Sequence, residues 1–161
     1  MIIENYNNKV KSELRTIATA AIALIESETK ADFANTADRR QNCAEILLQV
    51  AKKHNLTDYE DIDATWLSRR VYRPDLYKNI PVWVAKASLH YLLSKPTWEP
   101  ETAQCWLVTM ALFVREFGGV TPNYTELVQS LPAHMQNEIG KNWLKNCVDS
   151  VLAIQKRKND E

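Results

Sequence analysis

A chain of 161 residues, 45% hydrophobic and 25% charged, suffices for one globular domain that buries about two thirds of its unfolded surface, and residues 1–161 read as a single domain. Twenty basic residues balance twenty acidic ones, and the resulting formal net charge of zero removes any general field toward nucleic acid or an anionic membrane. Binding of either kind must then come from a local patch.

The N-terminal residues Met1–Asn8 carry neither the basic flank nor the continuous apolar stretch of a signal peptide. From Ile3 onward, Tyr6, Val10, Leu14, Ile17, Ala21 and Leu24 recur every three or four residues, the pattern of a long amphipathic helix. Asp32 or Thr36 is placed to cap a second helix, whose inner face is Ala37, Ala44, Leu47, Leu48 and Ala51. Lys52, Lys53 and His54 put positive charge at its C-terminus, and Asn55 stops it.

The segment Thr57–Trp66 is the most acidic in the chain, yet it is no calcium loop. Counted from Asp58 or Asp61, it lacks the central glycine and the bidentate glutamate at position twelve. The spacing instead predicts a capping box of Thr57 and Glu60 that opens a helix. Next, Trp66–Pro74 interleaves arginines with aromatics. Trp66 and Val71 are expected to face the core while the arginines pair with Asp61, Asp63 and Asp75. Trp66, Arg69, Arg70 and Arg73 are the first candidate partner-binding residues. Pro74 ends this helix, and another runs from Ile80 to Ser94, with Trp83, Val84, Ala87 and Tyr91 on one side and His90 beside them. The longest irregular stretch is expected between residues 72 and 80.

Thr97-Trp98-Glu99-Pro100-Glu101 signals the start of a central apolar helix, about 98–117. Within it Cys105–Val114 has a single polar residue, Thr109, and is too short for the roughly 20 apolar residues that span a bilayer. Such a helix must be enclosed, and Trp106, Leu107, Met110, Ala111, Val114 and Phe117 are its expected core residues. Gly118 is expected to form a left-handed cap. The architecture predicted is therefore all-α: a single-domain bundle of about six to seven helices around this central one. Cys43, Cys105 and Cys147, odd in number and set among apolar residues, read as reduced core thiols of a cytoplasmic protein. Membrane attachment is not expected.

A short helix capped by Thr121, a Ser130-Leu131-Pro132 junction and a long helix from Pro132 to Ile154 follow. In element order, residues 100–152 resemble a helix-turn-helix reader. The last helix would bury Met135, Ile139, Trp143, Cys147, Val151 and Ile154 and present Gln136, Asn137, Lys141, Asn142 and Lys145 as candidate nucleic-acid contacts. Between Pro132 and Lys158 five basic residues stand against two acidic ones, although Glu138 would approach the phosphates and Gly140 would loosen the helix.

No sequence motif demands catalysis. There is no Gly-rich phosphate loop, Gly-x-Ser-x-Gly, His-Glu-x-x-His or closely spaced cysteine pair. No arginine stands four to six residues before His54, His90 or His134, as it does in some helical nucleases. Catalytic residues, cofactor and metal are accordingly not expected. Five tryptophans, at 66, 83, 98, 106 and 143, are more than one small core encloses, so Trp98 joins the candidate partner-binding set. The favoured expectation is a non-enzymatic protein-binding module, an adaptor, inhibitor or assembly factor whose partner is another protein or a second copy of itself. The alternative is a nucleic-acid-binding accessory or regulatory protein in the replication or transcription of a mobile element.

Overall fold

The computed structural model describes residues 2–160, with side chains from residue 8 onward. All regular structure among them is helical: α1 Ile2–Thr29, α2 Thr36–Lys53, α3 Ala64–Tyr72, α4 Val82–Leu93, α5 Ala103–Phe117, α6 Tyr124–Ser130 and α7 Glu138–Asp160, with a 3-10 turn at Ala133–Met135. These helices are divided between two compact units.

The first unit, Leu14–Leu92, contains most of α1 together with α2, α3 and α4. Leu14, Ile17 and Ala21 of α1 are buried as the periodicity predicts, whereas the side chains of Ile3 and Tyr6 lie outside the described residues. Asn35, between the two expected caps, opens α2: its Oδ1 accepts the Asp38 N–H at 2.8 Å and its Nδ2 donates to the Asp38 carboxylate. Ala37 is exposed, because the buried stripe begins a turn and a half later, at Cys43 and Ala44. Asn55 ends the helix at φ 56°, and the Leu56 N–H reaches back to the Ala51 carbonyl at 2.8 Å.

Thr57 does not open a helix. Its Oγ1 accepts from Tyr59 N in a turn, and the chain stays irregular until Asp63, whose side chain accepts the Trp66 N–H at 2.7 Å. Ile62 and Leu67, at the two positions of a hydrophobic staple around that cap, are both buried. Residues 54–63, rather than 72–80, thus form the longest break between helices.

Arg15 of α1 secures the other end of α3. Its guanidinium donates to the carbonyls of Val71 at 2.5 Å, Tyr77 at 2.7 Å, Arg70 at 3.2 Å and Lys78 at 3.3 Å. Two of these belong to the last turn of the helix, where carbonyls have no intrahelical donor, and two to the loop beyond it.

The second unit comprises residues 1–13 and 93–161. In it α5 starts at the later threonine: Thr102, not Thr97, accepts the Cys105 N–H at 3.1 Å, and Pro100 is buried ahead of it. Trp106, Met110, Ala111 and Val114 are buried, as is the lone polar Thr109, 3.8 Å from the Cys105 sulfur. Phe117 is 42% exposed because α5 closes there at Gly118. Gly118 keeps a right-handed φ of −87°, and it is Gly119, at φ +64°, that takes the left-handed turn. Asn123, rather than Thr121, caps α6 through the Glu126 N–H.

Packed against α5 and α6, α7 begins later than the sequence suggests and is turned on its axis. Gly140, Leu144, Cys147 and Val148 are buried, while Ile139 is 58% exposed. The turn follows from Gly140, which sits against the Met135 carbonyl so closely that a Cβ there would overlap it.

Candidate functional site

The arginine-rich helix α3 separates its side chains into two groups. On one side Trp66 stacks on Trp83 of α4, centroids 5.6 Å apart and rings at 25°, and Tyr59 meets Trp66 edge-on at 5.4 Å. Arg70 lies over the Trp66 ring at 4.1 Å and the Tyr77 ring at 4.6 Å while donating to the Trp66 carbonyl. This guanidinium therefore sits between two π faces and forms no pair with Asp61 or Asp63. Trp66, expected to face the core, is half-buried in the aromatic stack.

On the other side, α3 forms a groove of about 660 Å³ with α1 and α2. Its floor is Ile22, Cys43 and Leu67, all buried; Thr65, Ser68 and Tyr72 add hydroxyls, and Glu26, Arg40, Arg69 and Arg73 supply the charges. Arg73 is held by Asp75 through two hydrogen bonds of 3.0 and 2.7 Å, which push its pKa up and that of Asp75 down. Arg40 and Arg69 are exposed, and neither guanidinium has a hydrogen-bond or ion-pair partner among the described residues.

Burial, and secondarily Glu26, pushes the Cys43 thiol up to about 12. Burial is also the first cause that raises the Tyr72 phenol, with Glu26 and Cys43 adding to it and Arg40 opposing it. Both groups keep their protons at neutral pH, so the groove offers hydroxyl donors and guanidiniums but no thiolate nucleophile. Cys43, Cys105 and Cys147 are all buried, and none of them forms a disulfide among the described residues.

The remaining predicted residues fare differently. Trp98 is half-buried in the segment before α5, and its carbonyl accepts from His134 Nε2 at 2.5 Å. Of the nucleic-acid candidates, Gln136 donates to the Leu131 carbonyl at 2.7 Å, and Asn137 caps α7 by accepting the Gly140 N–H at 2.8 Å. Those two side chains are committed to the backbone. Lys141 and Asn142 are exposed, whereas Lys145 pairs with Asp149 at 3.7 Å and lies 5.6 Å from the Tyr124 ring. Seven residues separate α6 from α7, against the three or four of a helix-turn-helix.

Sequence reasoning missed Arg40, Glu26, Tyr59, Tyr77 and Trp83 as neighbours of α3. Helical spacing relates residues on one element and carries no signal of which side chains meet across three. The same holds for His54 and His90, whose rings stack at 3.8 Å. No known protein family, curated protein or solved structure matches the chain.

Proposed function

We propose that this chain is a non-enzymatic protein-binding module, an adaptor, inhibitor or assembly factor, which engages its partner through α3. The observation that carries this reading is the pair of guanidiniums, Arg40 and Arg69, that have no hydrogen-bond or ion-pair partner among the described residues, on an open groove lined by the same helix that bears the Trp66–Trp83 stack. Interface hot spots are enriched in tryptophan, tyrosine and arginine, and a side chain already held in place loses little entropy on binding. Arg70, fixed between Trp66 and Tyr77, meets that condition.

The nucleic-acid reading has less to draw on. With Gln136 and Asn137 bonded to the backbone, its five candidate contacts at α7 reduce to Lys141, Asn142 and Lys145, and the first helical residues of α7 are Glu138 and Ile139. A carboxylate at that end opposes a phosphate backbone.

A photo-crosslinking amino acid at Thr65, an exposed groove residue, tests the proposal in the native host. The expected result is a discrete adduct with a second protein that falls by about tenfold or more in the W66A/R69E variant. No adduct at position 65 alongside a nuclease-sensitive adduct at position 141 would overturn it in favour of nucleic acid.

A further inference from the structure

The charges of the α1–α2–α3 groove are unevenly satisfied. Asp75 occupies Arg73, while the guanidiniums of Arg40 on α2 and Arg69 on α3 have no hydrogen-bond or ion-pair partner among the described residues, each with five N–H donors in a planar fork suited to a carboxylate. The same groove is floored by the apolar Ile22 and Leu67. Among the described residues, Glu26 is the one acid of the lining.

We infer that this groove takes an acidic segment of a partner protein, with carboxylates on Arg40 and Arg69 and an apolar side chain on Ile22 and Leu67. The inference rests on the reading of α3 as a partner-binding element and specifies what it binds. Charge complementarity selects an anionic occupant, and Glu26 selects among anions. A peptide brings backbone N–H donors for the Glu26 carboxylate along with separated carboxylates for the arginines. A phosphate backbone brings dense negative charge and acceptors alone, which Glu26 repels. The apolar floor would also stay wet under a phosphate, whereas a leucine or aromatic side chain covers it. Thr65, Ser68 and Tyr72 supply hydroxyls to the peptide carbonyls.

Panning a random-peptide phage library against the full chain at low salt, then measuring a fluorescein-labelled synthetic copy of the enriched sequence by anisotropy, tests this. The expected consensus has two or more Asp or Glu residues around one bulky apolar residue. Its affinity should drop by about tenfold or more in R40E/R69E, and by a smaller factor in R40Q/R69Q, with unchanged circular dichroism melts in both. Raising the salt concentration should weaken binding to the wild type more than to R40Q/R69Q. Enriched peptides without acidic residues, or binding lost in W66A but retained in R40E/R69E, would overturn the inference while leaving the protein-binding reading intact. Binding of labelled single-stranded DNA that depends on Arg40 and Arg69, with no peptide enriched, would overturn both.

Discussion

At the scale of single residues, Arg15 shows how a charged side chain can serve as a structural tie. Its four carbonyl acceptors come from the last turn of α3 and from the loop at Tyr77 and Lys78, groups that would otherwise need water or a cap. Hydrogen bonds from a charged donor are stronger than neutral ones, and removing the donor leaves partly buried carbonyls unsatisfied. Arg15→Ala should therefore lower stability by about 2–4 kcal/mol in urea unfolding. Arg15→Lys should recover less than half of that, because an ammonium group is a compact point charge and cannot span two segments as the fork does. A loss under about 0.5 kcal/mol for Arg15→Ala, the range of an ordinary surface change, would show that the tie is dispensable. Nothing in the sequence marks Arg15 apart from Lys9, Lys11 and Glu13. Only the arrival of α3 at the same place does so.

At the scale of elements, the helices themselves were legible but their starting points were not. Apolar periodicity located α1, α2 and α4 and, with its buried face misassigned, α7, whereas α5 was read from its continuous apolar run and α3 and α6 from residues able to cap. The starts slipped because each connecting segment holds several residues able to cap. Asp63, Thr102 and Asn123 prevail over Thr57, Thr97 and Thr121, and in each case an apolar residue between the rivals, Ile62, Pro100 or Pro122, is buried by the later start. Burial thus decides among caps of similar strength. Gly140 illustrates the reverse problem, a residue that looks wrong for its element and is required by its neighbour. Within a helix, alanine is favoured over glycine by about 1 kcal/mol. At position 140, however, an added Cβ runs into the Met135 backbone carbonyl. Gly140→Ala should consequently destabilise the protein, by about 1–3 kcal/mol net, despite its better helix propensity. A raised melting temperature in this variant would contradict that packing.

For the molecule as a whole, the titration of buried groups makes alkaline pH the weak side. Cys43 is raised to about 12, and Cys105 and Tyr91, buried like it, are raised as well, each first by burial. Tyr91 also donates to the Glu28 carboxylate. A thiol or phenol that keeps its proton in the folded chain contributes in full below its ordinary pKa, near 9 for the thiols and 10 for the phenols. That contribution is lost as pH climbs toward the raised value, at about 1.4 kcal/mol per pH unit for each group. The melting temperature should therefore fall steadily from pH 9 to pH 11; a flat profile would show that these groups reach solvent in the native state. The all-helical class and the burial of the three cysteines were readable from composition, since few glycines and isolated thiols each limit the alternatives. The groove was not, because Glu26, Arg40 and Arg69 come from three helices and meet only through tertiary packing.

The stacked indoles of Trp66 and Trp83 give this chain an optical reporter of its own. Two indoles in contact couple their strongest transition dipoles, adding to the far-ultraviolet dichroism an exciton contribution that separated tryptophans lack. A molecule settling against α3 would alter that coupling, so occupancy of this face can be followed by light alone, on unlabelled wild-type protein.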